Sequence, residues 1–151
     1  MQITGVGKCD ITASQAGNGN YNDATPVTRS FNTIYNWNGY RQPVDNGIFN
    51  SAKAGQSIPM KFSLSGNQGL GVIAANFPKV TQVACPGAAA TVDAIEEYAA
   101  LTANNGLTYD ASIDQYNYVW KTQSTYAGKC YQFNMVLTDG TSHTALFKFT
   151  K

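Results

Sequence analysis

His143 is the single histidine in the 151-residue chain. It is the first residue to test for chemistry, because imidazole moves protons near neutral pH better than any other side chain. Ser142 precedes it, but neighbours on a strand point to opposite faces, so the two do not make a nucleophile–base pair. A triad would need another serine and an aspartate brought in by the fold, and no G-x-S-x-G elbow is present. Hydrolysis of a glycoside would instead need two carboxyl groups roughly 5–10 Å apart in one cleft. Among nine carboxylates, Asp110 and Asp114 flank a turn and Asp139 sits in an Asp-Gly turn, where Asp is chosen for backbone reasons. Glu96 and Glu97 are the pair that no turn explains, with a charged solvated edge as the plain alternative.

Metal and cofactor chemistry finds less support. One His and three scattered Cys make no zinc cluster. The spacing Asp110-x-x-x-Asp114 lacks the dense acidic loop of an EF-hand. Gly66–Gly71 is glycine-rich but leads into neither G-K-[ST] nor a dinucleotide-binding helix, so it reads as a hairpin loop. No metal and no cofactor are expected. The flat rings of Trp37, Tyr40, Tyr116 and Tyr118 could stack on a sugar, against the competing reading that they fill a core.

The elements that must position these residues are strands. Nine Tyr, fourteen Gly and many Asn, Thr and Ser stand beside few Glu, Lys and Leu, a composition for pleated half-buried surfaces and tight turns. Ile58, Met60, Phe62 and Leu64 alternate with polar or small residues, as do Tyr116, Tyr118 and Trp120, then Tyr131, Phe133, Met135 and Leu137. Asp139-Gly140 marks a hairpin whose returning strand carries Ala145, Phe147 and Phe149 on one face. Pro59 belongs on an edge or beside a bulge, since it cannot donate to a ladder. Val92 to Leu101 fits a helix or a strand with a loop equally well. Seven or more short strands with frequent turns predict an all-β chain, an immunoglobulin-like β-sandwich.

Residues 1–34 read differently. Cys9–Gln15 and Val27–Ile34 are strand-like and flank the turn-rich run Ala16–Asn22. Two strands make no core, so they should pair with the body's sheet edge or with another copy. Formal net charge is +1 with 13% charged residues. That argues against capture of nucleic acid, which relies on clustered Lys and Arg. No stretch has the apolar length to span a bilayer as a helix. Met1–Gly5 shows no charged lead before an apolar run, so the chain reads as part of a longer exported protein. Cys85 and Cys130 share the second region and are the natural disulfide in an oxidising compartment, leaving Cys9 over. Three reduced thiols are the alternative.

Trp37–Asp45 followed by Ala54–Leu64, with Pro59-Met60-Lys61-Phe62 at its centre, resembles the PxKF domain of bacterial secreted proteins. Tyr116–Thr122, Ala127–Cys130 and Leu137–His143 resemble the later blocks of that family. Cys9–Gly17, Asn20–Asn22 and Val27–Phe31 resemble the closing strands of a bacterial immunoglobulin-like repeat. The resemblance implies tail strands over 1–34, a β-sandwich over 35–151, and an extracellular or cell-surface location, with no catalytic residues to carry over. The reading is a structural or adhesion module of a larger bacterial surface protein, favoured over an enzyme. The alternatives are a small hydrolase using His143 or Glu96 and Glu97, or a carbohydrate-binding module. An extracellular polysaccharide or another protein domain is the expected kind of partner, with self-association through 1–34 a further expectation.

Overall fold

The computed structural model describes residues 5–87, 91–95 and 106–151. All regular structure there is strand, apart from one 3-10 turn at Ser124–Tyr126. The first two strands, β1 (Gly7–Gln15) and β2 (Ala24–Thr33), pair antiparallel as a sheet of their own. Within the chain their pairing is with each other and not with an edge of the larger sheets, which was one of the two expected arrangements. Direct cross-strand partners share a face. One face, mainly apolar, therefore carries Cys9, Ile11, Ala13, Val27 and Phe31 with Arg29 opposite Ile11, and the other Lys8, Asp10, Thr12, Thr28 and Ser30. The polar face ties itself together: Thr12 meets Thr28 at 2.8 Å, Ser30 donates to Asp10, and Lys8 pairs with Asp10 at 3.1 Å. The apolar face stays open, with Ile11 at 40% and Val27 at 50% exposure.

The remaining strands form two sheets. One has the order β3 (Tyr40–Arg41), β5 (Ser57–Phe62), β9 (Gln115–Lys121), β8 (Leu107–Asp110). The other runs β6 (Lys79–Val83), β10 (Cys130–Val136), β11 (Ser142–Thr150), β4 (Phe49–Lys53), β7 (Val92–Ala94). Inward residues of both sheets meet in one core: Ile58, Met60, Phe62, Tyr116 and Trp120 from the first, and Phe133, Met135, Phe147 and Phe149 from the second. Trp120 is the joint, its ring centroid 5.0 Å from both Phe133 and Phe147. This is a β-sandwich, and its inward sets follow the period-2 alternation of the sequence.

Several local expectations are met for stated reasons. β3 covers only Lys61 and Phe62 of β5, so Pro59 lies where that edge has no strand partner. Asp139 closes the β10–β11 turn by accepting from the Thr141 amide and hydroxyl. Cys85 bonds Cys130, and Cys9 is free and half-buried. Because Cys130 is the register partner of Val83, the disulfide fastens neighbouring strands of one sheet. One open choice is decided in part, and one reading changes. Val92–Ala94, left open between helix and strand, is a strand lying parallel to β4, and the Ile95 amide after it donates to the Ser51 carbonyl at 2.9 Å, while residues 96–101 fall outside the described residues. Gly66–Gly71 is not a hairpin loop but a crossover from β5 in one sheet to β6 in the other. It is fastened by Gly66 N–H to Asp114 (3.0 Å) and Gln68 N–H to the Tyr116 hydroxyl (2.6 Å).

Candidate functional site

The odd-numbered residues of β11 face inward, and His143 continues that row to the rim of the core. There it meets the segment 34–39 that leads from the hairpin into β3. The Trp37 indole lies flat on the imidazole, with centroids 3.8 Å apart and planes 12° off parallel. Trp37 also touches Phe62 (4.8 Å) and Tyr40 (5.1 Å), so it plugs the end of the sandwich between the two sheets. The Tyr40 hydroxyl donates to the His143 carbonyl at 3.0 Å.

A polar chain runs behind the ring. The Thr141 hydroxyl donates to Asp139 Oδ1 (2.7 Å) and lies 2.8 Å from His143 Nε2. With the hydroxyl proton committed to the carboxylate, Nε2 must carry its own proton and donate to Thr141, which defines the neutral tautomer. Asp139 Oδ2 takes the Tyr35 amide at 2.7 Å, and the Tyr35 hydroxyl reaches Thr138 at 3.0 Å. Burial pulls the imidazole below its ordinary value, and the attraction of Asp139 only partly opposes this. Burial also works to raise the Asp139 carboxyl. The bonds from Thr141 and Tyr35, with His143 nearby, outweigh it and hold the carboxyl below the usual aspartate range.

The order of this chain decides what it can do. In a hydrolytic triad the carboxylate orients the imidazole, and the imidazole then takes the proton of the nucleophile. Here the carboxylate binds the hydroxyl, and the hydroxyl proton points away from the base. Trp37 covers one face of the ring as well. The arrangement fastens a segment of chain in place; it does not activate a nucleophile. Ser142 is turned away, donating to Asn134 at 2.8 Å. Thr141 was missed in the sequence, although its position two residues before His143 on the same strand face was the available signal.

The other candidates fall elsewhere. Tyr116 is fully buried, stacked on Phe62 at 5.2 Å with its hydroxyl donating to Gly69 at 3.2 Å. Tyr40 is 5% exposed, and burial raises its phenol. These two therefore present no ring face to a sugar, which corrects the platform reading for them. Tyr118 is half-buried beside Phe133, and Trp37 is occupied by His143. Glu96 and Glu97 lie outside the described residues. Asp114 accepts from Ser63 (2.6 Å), Tyr109 (2.9 Å) and Gly66, bonds that hold its carboxyl low and close the β8–β9 turn. Among the described residues no group of His, Cys, Asp and Glu is placed to hold a metal ion, and no helix is long and apolar enough to cross a membrane.

No protein-family model matches the chain, no curated protein matches its sequence, and no solved structure matches its fold.

Proposed function

We propose that the chain is a non-catalytic structural or adhesive module of a larger bacterial surface or secreted protein, working outside the cell. The observation that carries this reading is the strand order. Of the nine strands described in the two larger sheets, leaving β4 and β7 aside, seven taken in chain order divide into 1-2-5-4 and 3-6-7. That division supports an immunoglobulin-like sandwich, whose strands divide as A-B-E-D and C-F-G. Its disulfide differs from the antibody arrangement, fastening neighbouring strands within one sheet and not bridging the two sheets. A disulfide persists best in an oxidising compartment, which supports an extracellular setting. The PxKF resemblance, centred on Pro59-Met60-Lys61-Phe62 in β5, supports the same setting.

On this reading the hairpin over 7–33 belongs to a neighbouring repeat, and the sandwich presents loops or edges to a polysaccharide or protein partner. The rival is a small esterase or glycosidase, and a panel of chromogenic esters and glycosides separates the two. The module reading expects no turnover above buffer. Turnover that disappears in His143→Ala or in Glu97→Gln would overturn it.

A further inference from the structure

Segment 34–39 is bound at three successive residues, Tyr35, Asn36 and Trp37. Tyr35 is held at both its amide and its hydroxyl by the β10–β11 turn. The Asn36 side chain donates to Ser65 at 2.7 Å, beyond the end of β5, and Trp37 fills the rim. The hairpin, whose strands pair only with each other, is thereby connected to the sandwich through a seated strap.

We propose that the strap and the His143 ring form an acid-operated latch, which holds the hairpin's tether on the rim of the sandwich when the imidazole is neutral and loosens it when the imidazole is protonated. With Nε2–H donating to Thr141, the second proton must enter at Nδ1. It places a full charge on a ring pressed between the indole and the core rim. The groups facing that ring set the balance. Asp139, from the turn, is the one opposite charge, and it reaches the imidazole through Thr141. Tyr40, from β3, faces the His143 backbone and keeps its phenol proton because burial raises it. Tyr35, on the strap, bonds Thr138, and Met135, directly across on β10, carries no charge.

Stacking of a cation on Trp37 is favourable, and it is opposed by the hydration that the half-buried imidazolium forgoes. The ring gains by turning out to water, and Trp37 then loses the surface it lies on. The sign follows from the direction of the shift. The seated state holds its imidazole below the free value of 6.5, so it binds fewer protons than the released state. The contribution of His143 to seating is complete above that value and is lost as pH falls through the lowered one. Asp139 keeps its charge through this window, since its own carboxyl is held below the ordinary aspartate value of 3.8.

The single histidine makes the test direct in the unaltered chain. The His143 ring proton is titrated by NMR alongside tryptophan emission, with Trp37→Phe assigning the emission change to Trp37. A nitroxide on Cys9, the free thiol of the hairpin, reports hairpin position through broadening of sandwich amides. The latch requires an NMR midpoint below 6.5, an emission change at that midpoint, and loss of the broadening pattern across the same range. His143→Gln keeps an N–H donor without a titration and should hold the pattern at pH 5. A midpoint at or above 6.5, a broadening pattern unchanged through the titration, or release of His143→Gln at acid pH would each overturn the latch. If His143→Gln fails to fold, the titration of the unaltered chain still decides.

Discussion

Two hairpins of this chain obey the same rule and end in opposite surroundings. β1–β2 and β10–β11 are both antiparallel ladders in which apolar residues take one face. In β10–β11 that face is covered by β5 and β9, and Phe133 and Phe147 are fully buried. In β1–β2 no second sheet lies over Ile11 and Val27, and both stay exposed. Alternation therefore makes a ladder with a sided surface, but burial comes only from what packs across it. Local sequence decides the first and tertiary structure the second.

The sharpest way to break this contrast is to truncate one apolar side chain from each face. Phe133→Ala should cost about 3–5 kcal/mol in urea unfolding, because it empties space beside Trp120 at the centre of the core. Ile11→Ala should cost less than about 0.5 kcal/mol. Equal losses would mean that the hairpin face is covered in solution. Next in size is the disulfide. Replacing Cys85 and Cys130 by Ser releases a closed loop with a sequence separation of 45 residues. That should cost roughly 2–4 kcal/mol by the same measurement, while Cys9→Ser should leave the midpoint where it is.

Ser63→Ala should lose about 1 kcal/mol, since it removes a buried hydroxyl that donates to Asp114. The Asp114 carboxyl is held low by these bonds, so its contribution is complete above the ordinary aspartate value and fades as pH falls through the lowered one. The acid limb of unfolding between pH 5 and pH 2 should therefore be shallower in Asp114→Asn. Smallest of all is removal of residues 1–33, which should move the thermal midpoint of the sandwich by no more than about 2 °C. A larger drop would show that the hairpin supports the sandwich and is not merely attached to it.

Much of the architecture could be read in advance because it is local. The runs around Met60, Trp120, Phe133 and Phe147 carry their own period, and Asp139-Gly140 announces its turn in two residues. The pairing of Cys85 with Cys130 also emerged, because both lie in the region with a complete set of strands. What stayed hidden is non-local. β4 and β7 join their sheet by parallel pairing with distant segments. The site shows the same limit. Trp37 sits in a connecting segment whose composition reads as exposed, and only the fold shows that His143 waits at the rim to receive it. Tyr40 and Tyr116 resembled a platform because composition cannot distinguish a ring that faces a partner from one that faces Phe62 or Phe133.

The parallel pairing of β4 with β11 bears on how the sandwich would respond to tension. Phe49 lies beside Leu146 and Lys53 beside Thr150, so chain entering β4 and chain leaving β11 depart from opposite ends of one ladder. Pulling on those two ends slides the strands past each other, and the cross-links between them share the load together. An antiparallel pair gripped at its open end parts one rung after another. A tethered sandwich strung this way would carry force along its length as a stiff link.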